Sequence, residues 1–234
     1  MYDRAADLYD KVYSFKDYPA EARALTAFLR QEIRSGGNRL LDVACGTGLH
    51  VECLAAEWRV EGVDLSAEML ALARARNPAV PFHAADMADF ELGRRFDAVT
   101  CLFSSIGYVR TLEKLGRAIG CMARHLVPGG VLAVEPWFTS STWRAGTVHA
   151  LLVDEPELKI ARVNTSFVEG RLSYFDLHYL VGTPAGTEHV VERHEMGLFE
   201  REEMEAAFEA AGLEVRYDAQ GLTGRGLYLG RARG

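Results

Sequence analysis

The chain has 234 residues, of which 49% are hydrophobic and 25% charged, and a formal net charge of −7. This length suffices for one large α/β domain, or for a core with a small insertion, and the composition is that of a globular protein. The charge leaves no basic stripe for phosphate backbones, and no apolar run approaches the roughly 20 residues of a membrane span, so we expect neither a nucleic-acid nor a membrane partner.

Short apolar runs alternate with helical patterns in the first half of the chain. Residues 1–18 are rich in tyrosine and only partly helical in pattern, and a helical period then extends from about Pro19 to Arg34. The alternation that follows is typical of a parallel, doubly wound α/β sheet. The strands are expected near 39–44, 59–63, 80–84, 97–103 and 130–135, and the helices near 48–56, 67–75 and 111–125.

After Pro136 the pattern changes to an antiparallel β insertion, followed by a helix and two further strands. The insertion strands are expected near 147–153, 158–168, 171–181 and 187–199, the helix at 201–211, and the last strands near 213–218 and 225–231. The expected division is therefore an N-terminal cap with an α/β core (1–136), an antiparallel insertion (137–199), and a C-terminal helix and hairpin that complete the core (200–234).

The segment from Leu40 to Gly48 is the most informative part of the sequence. An apolar run enters a tight Gly46-Thr47-Gly48 turn before a helical pattern, which is how a buried strand presents a nucleotide-like ligand to a helix N-terminus. Asp64, at the end of the next apolar run, is placed to accept hydrogen bonds from both ribose hydroxyls of an adenosine. Val51 stands where a dinucleotide-binding motif has its third glycine, which argues against a nicotinamide cofactor.

The carboxyl ends of the predicted strands define a candidate site, because ligands of open parallel sheets bind there. Ala44, Gly46, Gly48 and Asp64 follow the first two strands, and the other ends are Asp86-Met87, Leu102 to Tyr108, and Glu135 to Phe138. Asp86 suits an exocyclic amine, and Met87 suits the face of an adenine ring. The first three ends would hold the cofactor, and the last two would face an acceptor molecule.

Several of these residues also have a purely structural interpretation. Asp64 alone is explained by the dipole of the following helix, and Tyr108 and Trp137 by packing at the rim of the sheet. Arg162 and Tyr174, on the insertion strands, are placed to reach a phosphorylated acceptor, although a solvated strand face explains them equally well. His125 is expected to stabilise a helix C-terminus.

The glycine turn resembles motif I of the class I S-adenosylmethionine-dependent methyltransferases. Beyond it, the chain resembles the N,N-dimethyltransferases that act on TDP-linked amino sugars in macrolide antibiotic biosynthesis. Matching stretches run from one end of the chain to the other. They are Leu8-Tyr9-Asp10, Lys16-Asp17-Tyr18, Leu40 to Gly48, Gly93 to Phe96, Phe103 to Gly107, Val134 to Trp137 and Gly224 to Leu227.

This resemblance implies a Rossmann-like α/β fold with a seven-stranded sheet, S-adenosylmethionine as cofactor, and a TDP-linked amino sugar as substrate. It places Tyr9, Tyr18 and Leu102 at the cofactor. It places Tyr2, Ser105, Tyr108 and Trp137 at the sugar, and Arg225 at the pyrophosphate. Tyr108 and Ser105 are the candidate catalytic residues, and the insertion lies on the substrate side. Family members differ at the position of Tyr108, where a histidine also occurs, so an obligatory imidazole base is not expected there.

Two alternatives remain open at this point: a methyltransferase for another small amine, such as an amino acid or an aglycone, and a non-catalytic S-adenosylmethionine-binding protein. No metal is expected, because the cysteines and histidines lack ligand spacing. The first residues lack the basic and apolar regions of a signal peptide, so we expect a cytoplasmic protein. The sequence does not decide the oligomeric state, and a homodimer is compatible with it.

Overall fold

The structure, a computed structural model, describes residues 3–234, and the side chains from Leu8 onward. Its helices are α1 (Asp3–Val12), α2 (Tyr18–Glu32), α3 (Leu49–Leu54), α4 (Ala67–Arg76), α5 (Leu112–Arg124) and α6 (Arg201–Ala210). Its strands are β1 (Arg39–Val43), β2 (Arg59–Asp64), β3 (Phe82–Ala84), β4 (Phe96–Cys101), β5 (Leu126–Val134), β6 (Val148–Glu155), β7 (Leu158–Glu169), β8 (Leu172–Thr183), β9 (Gly186–Gly197), β10 (Leu213–Asp218) and β11 (Leu227–Ala232). A 3₁₀ turn covers Ser105–Val109.

Within the described residues, seven strands form a large sheet in the order β10-β11-β5-β4-β1-β2-β3, and β6 to β9 form a separate small sheet. The strands from β1 to β5 run parallel in the large sheet, and β11 pairs antiparallel with both β5 and β10. The strand β1 is buried along Leu40 to Val43, as a strand covered by helices on both faces must be. The predicted fold class is therefore confirmed.

Apolar clusters cover both faces of the large sheet. One includes Phe96, Ile119 and Phe208, and the other includes Leu25, Leu40 and Leu70. This packing fixes the strand ends, so residues that follow β1, β2, β3, β4 and β5 meet along one edge of the sheet.

The helix α1 lies between the large sheet's edge and the small sheet. Its Val12 packs with Ile160, Leu177 and Tyr179 on one face of the small sheet. Among the described residues, the Asp10 carboxylate accepts a hydrogen bond from the Thr47 hydroxyl at 2.7 Å and pairs with Arg76. The tyrosine-rich start of the chain is thus a helical cap fastened to the glycine turn.

Two boundaries differ from the sequence prediction. Within the tyrosine-rich segment, residues Asp3–Val12 form a helix, in which Leu8 and Val12 pack against the small sheet. The strand β5 begins at Leu126, before Pro128, whereas it was predicted to start near residue 130. Leu126 pairs with Phe96 and Val131 pairs with Ala98, so the intervening Pro-Gly-Gly residues bulge out of the ladder. Between residues 3 and 234, no helix has both the length and the apolar character needed to cross a membrane.

Candidate active site

The glycine turn after β1 is open towards the carboxyl edge of the large sheet. Gly46 has a φ of +55°, and a Cβ built on it would meet no described atom within 4 Å. Gly48 differs, because its Cβ would lie 2.9 Å from the Asn77 side-chain nitrogen and 3.1 Å from the Ala73 Cβ. Gly46 therefore keeps space free for a ligand, and Gly48 lets α3 approach α4.

Asp64 joins the end of β2 to this turn. Its carboxylate accepts hydrogen bonds from the backbone N–H of Gly46 at 2.8 Å and of Ser66 at 2.9 Å. Burial raises the pKa of Asp64, although these two donors oppose that effect. Each carboxylate oxygen retains a lone pair, so the group can accept further hydrogen bonds from hydroxyl groups.

Asp86 and Met87 follow β3, which pairs with β2 so that Asp64 lies beside Ala84. Asp86 accepts a hydrogen bond from the Ala88 N–H at 2.8 Å, and Met87 is half-buried beside the apolar cluster. Both residues therefore stand at the strand end next to Asp64, where the sequence predicts the adenine.

A small recess lies over the turn. Its lining includes the predicted cofactor residues Tyr9, Tyr18, Ala44, Gly46 and Leu102. Burial raises the pKa of Tyr9 and of Tyr18 above the ordinary range, so both phenols stay neutral at physiological pH. Neutral hydroxyl donors, an open glycine turn and a carboxylate with lone pairs for hydroxyl groups are what an adenosyl cofactor requires, so the residues fit such a group.

A strained turn after β4 begins the second part of the site. Phe103 and Ser104 have φ values of +50° and +62°, which are uncommon for residues with a side chain. Buried Glu135 holds the turn by accepting a hydrogen bond from the Phe103 N–H at 2.7 Å. The Ser104 hydroxyl donates to the Pro136 carbonyl at 2.7 Å and accepts from Arg225 at 3.0 Å. These bonds fix the 3₁₀ turn that carries Ser105 and Tyr108.

A cavity of about 780 Å³ extends from this turn to the small sheet. It shares Tyr9, Phe103 and Ser105 with the small recess over the glycine turn. A ligand in the recess and a ligand in the cavity would therefore meet at Ser105. The predicted acceptor-side residues in the lining of the large cavity are Ser105, Tyr108, Trp137, Arg162 and Arg225.

Aromatic rings and arginines form much of the cavity wall. Trp137 stacks on Phe175, with centroids 5.7 Å apart, and lies 5.5 Å from the Trp143 ring. The Arg225 guanidinium is 5.4 Å from the Trp137 ring centroid. On β7, the buried Arg162 Nε has no hydrogen-bond partner among the described residues. Such a nitrogen is available to an anionic ligand.

The structure corrects one prediction and leaves another untested. Tyr174 alternates with Phe175 along β8 and stacks on Phe167, on the face of the small sheet away from the cavity, so it does not border the acceptor. The cause is the two-residue period of a strand, which sends neighbouring side chains to opposite faces. Tyr2 lies outside the described residues.

Relatives of known type share this architecture. A family model described as a methyltransferase domain matches residues 40–130. The chain is 46% identical to dTDP-3-amino-3,6-dideoxy-α-D-glucopyranose N,N-dimethyltransferase of Streptomyces fradiae, over 96% of this chain and 89% of that protein. It is 44% identical to dTDP-3-amino-3,4,6-trideoxy-α-D-glucopyranose N,N-dimethyltransferase of Streptomyces venezuelae, over 96% of each chain.

Solved structures of methyltransferases share the fold of this chain. The crystal structure of Streptomyces venezuelae DesVI superposes with a TM-score of 0.93 at 43% identity, over 98% of both chains. An S-adenosylmethionine-bound amino pentose methyltransferase from Micromonospora echinaspora, involved in calicheamicin biosynthesis, superposes with a TM-score of 0.85 at 42% identity, over 92% of both chains. The chain belongs to the family of dTDP-amino-sugar N,N-dimethyltransferases.

As a member of this dimethyltransferase family, the chain is an S-adenosylmethionine-dependent enzyme. Sequence reasoning missed several residues of its cavity, including Lys16, Glu192 and His194. Lys16 donates to the Glu21 carboxylate at 2.9 Å, and His50 lies 2.9 Å from the same carboxylate. Burial opposes ionisation of Glu21, but the hydrogen bonds from His50 and Lys16 outweigh it and lower the pKa.

His125 is buried, stacks on Phe90 and accepts a hydrogen bond from the Leu92 N–H, so it is structural, as expected.

The period of the insertion strands could have identified Glu192 and His194. Both alternate with exposed residues along β9, and Arg162, Asn164 and Ser166 do the same along β7. Polar side chains repeated every second residue on one face of a half-buried sheet indicate a lined cavity.

Proposed function

We propose that the chain transfers two methyl groups in succession to the amine of a TDP-linked deoxy amino sugar. One observation carries the proposal: the recess over the glycine turn and the large cavity join at Tyr9, Phe103 and Ser105. A donor held over the turn and an acceptor held in the cavity would then share one closed junction. Holding both in a near-attack geometry is the main requirement of such a transfer.

The aromatic and arginine residues of the large cavity suit a nucleoside diphosphate. Stacked Trp137 and Phe175 offer flat apolar surface to a nucleobase. Arg225 and Arg162 supply guanidinium groups, which pair with phosphate oxygens in a bidentate manner. A cavity of about 780 Å³ is also far larger than a free amino acid would fill, which argues against the small-amine alternative.

At the junction of the recess and the cavity, the residues suit an amine. When bound, S-adenosylmethionine supplies an electrophilic sulfonium methyl. Ser105 and Tyr108 act on the acceptor: Ser105 lies at the junction and Tyr108 lines the cavity, and their hydroxyls can hold the amine by hydrogen bonds. Asp64, Gly46 and the Asp86-Met87 pair hold the donor in place. The Asp10 link between α1 and Thr47 closes the cap over the turn and keeps water out.

The proposal is tested with matched substrates. The purified enzyme is given S-adenosylmethionine and TDP-3-amino-3,6-dideoxyglucose, or the same amino sugar without its nucleotide, and methylated products are followed by mass spectrometry. We expect the TDP-linked sugar to be methylated and the free sugar to show a KM at least tenfold higher. Equal KM values for both sugars would contradict the role of the aromatic and arginine residues.

The proposal also covers the cellular location, the partners and the oligomeric state of the protein. Free cysteines along the described chain fit the reducing cytoplasm. The net charge of −7 supports the proposal that nucleic acid is not a partner of this protein. A homodimer remains a prediction, and analytical ultracentrifugation of the purified chain tests it.

A further inference from the structure

A row of three side chains crosses from the large sheet's edge to the small sheet. The Tyr108 hydroxyl lies 2.6 Å from the His194 Nδ1, and the His194 Nε2 lies 3.5 Å from the Glu192 carboxylate. All three residues line the large cavity. The order hydroxyl, imidazole, carboxylate is that of a proton relay.

The surroundings of His194 favour one arrangement of its proton. The ring stacks in parallel on Phe175, with centroids 4.8 Å apart, which fixes its plane. The Nε2 atom is buried and has no hydrogen-bond partner among the described residues, and the Glu192 carboxylate stands nearest to it on the same strand. A carboxylate beside Nε2 stabilises a proton there, which leaves Nδ1 free to accept from the Tyr108 hydroxyl.

From this geometry we infer that Tyr108, His194 and Glu192 form a relay that removes the proton from the acceptor amine. The inference rests on the proposed function, because it presumes an ammonium group at the junction beside Ser105. Tyr108 is the catalytic residue that touches the amine. His194 and Glu192 act through it as positioning and proton-accepting residues.

The proton balance of the step is complete. The sugar ammonium gives one proton to the Tyr108 oxygen while the Tyr108 hydroxyl proton passes to the His194 Nδ1. The amine is then neutral, and its lone pair can form the nitrogen–carbon bond as the sulfur–carbon bond breaks and leaves its electron pair on sulfur. The imidazolium faces Glu192 and returns its proton to solvent through the cavity. The monomethyl ammonium product loses a proton by the same route before a second transfer.

Other titratable groups share the cavity and bear on this charge. From the packed elements they are Tyr9, Tyr13, Lys16, Asp17 and Glu21 on the N-terminal side, Arg144 before β6, His149 on β6, Arg162 on β7, Tyr179 on β8 and Arg225 before β11. Among these groups, the lysine and the three arginines disfavour an additional positive charge, and the carboxylates of Asp17 and Glu21 favour it. The carboxylate of Glu192, 3.5 Å from the His194 Nε2, is placed to stabilise the imidazolium form of His194.

The discriminating variant is His194→Asn. Its amide oxygen can replace Nδ1 as acceptor for the Tyr108 hydroxyl, but the amide carries no titrating proton. Glu192→Gln removes only the charge, and Tyr108→Phe removes only the hydroxyl. His178→Asn is the matched control, because His178 lies on the same small sheet and is exposed on its other face, beside His189. The variants are compared with wild type in kcat, KM and cofactor affinity from pH 5.5 to 9.

The relay predicts a specific pattern. Loss of a positioned acid–base group typically lowers the rate about 10²-fold or more, so we expect His194→Asn and Tyr108→Phe to lower kcat at least tenfold with cofactor affinity unchanged. His194→Asn should also remove the acidic limb of the wild-type pH profile. Glu192→Gln should also lower kcat, because the imidazolium form of His194 then has no carboxylate beside its Nε2. The double variant with both Tyr108→Phe and His194→Asn should be no slower than the slower of these two single variants, because the two groups act in series.

Two results would overturn the relay. An active His194→Asn enzyme with the wild-type pH profile would show that His194 only orients Tyr108. Nitrogen NMR of the labelled, substrate-free enzyme is the second readout, and a proton found on Nδ1 instead of Nε2 would contradict the proposed tautomer. Failure of the wild-type enzyme to methylate any TDP-amino sugar is a different outcome. That result would overturn the proposed function, and the role of the relay with it, whatever the spectra show.

Discussion

Replacing Gly46 by alanine separates the cost to the fold from the cost to cofactor binding. Gly46 has a φ of +55°, and its added Cβ would meet no described atom within 4 Å. The fold therefore bears only the backbone cost of a left-handed residue, about 1–2 kcal/mol. For a chain of this length that lowers the Tm by roughly 2–8 °C.

The methyl group of Gly46→Ala would instead occupy the space reserved for the cofactor. Overpacking of a fitted site typically costs about 1–3 kcal/mol, which corresponds to a rise of roughly 5- to 150-fold in the dissociation constant. Gly36→Ala is the matched control, since Gly36 has a φ of +75° and also has no described neighbour of its Cβ within 4 Å, but it lies before β1 and away from the recess.

Calorimetry with S-adenosylmethionine and thermal unfolding of the two variants provide the assay. We expect similar losses of Tm in both variants and a loss of cofactor affinity in Gly46→Ala alone. Wild-type affinity in Gly46→Ala would refute the assignment of the glycine turn. An equal loss of affinity in Gly36→Ala would show that the effect comes from the backbone cost and not from the site.

Three further predictions concern charged residues. Asp64→Ala should raise the cofactor dissociation constant at least tenfold in calorimetry and lower the Tm, because its carboxylate also holds the Gly46 and Ser66 N–H groups. Arg225→Ala should raise the KM for the TDP-sugar roughly 10- to 150-fold at unchanged cofactor affinity, and parallel losses of both would show a structural arginine. Burial raises the pKa of Asp42 to about 6. Its buried carboxylate therefore destabilises the fold above pH 6 and has no such effect below about pH 4, the unfolded-state value. Between pH 4 and pH 7, the free energy of unfolding of wild type, measured with urea, should therefore fall by about 3 kcal/mol relative to that of Asp42→Asn. The same pH dependence in both proteins would contradict this.

The cofactor side of the molecule was predictable from the sequence because each of its residues follows a strand. Once β1 and β2 are recognised as parallel neighbours, Gly46 and Asp64 must lie together, and the structure joins them by a hydrogen bond at 2.8 Å. The glycine turn and the buried apolar runs specify this without any knowledge of distant contacts.

The acceptor side was less predictable because it depends on which face of the small sheet points inward. Tyr174 and Phe175 are equally good strand residues, and only packing against α1 and Trp137 turns Phe175 towards the cavity. The same packing brings His194 to Tyr108, although the two residues are far apart in the sequence. The Tyr-rich segment was expected to be a cap, but without a clear helical period it gave no sign of the contact between Asp10 and Thr47.

Time-resolved mass spectrometry of the wild-type reaction tests the central claim most directly. The enzyme is mixed with TDP-3-amino-3,6-dideoxyglucose and excess S-adenosylmethionine, and the unmethylated, monomethyl and dimethyl sugars are quantified over time. We expect the dimethyl sugar as the end point and the monomethyl sugar as a transient species, because the junction is lined by small Ser105 beside the flat rings of Tyr9 and Phe103 and leaves room for an added methyl. A stable monomethyl end point, or no product at all, would contradict the proposed double methylation.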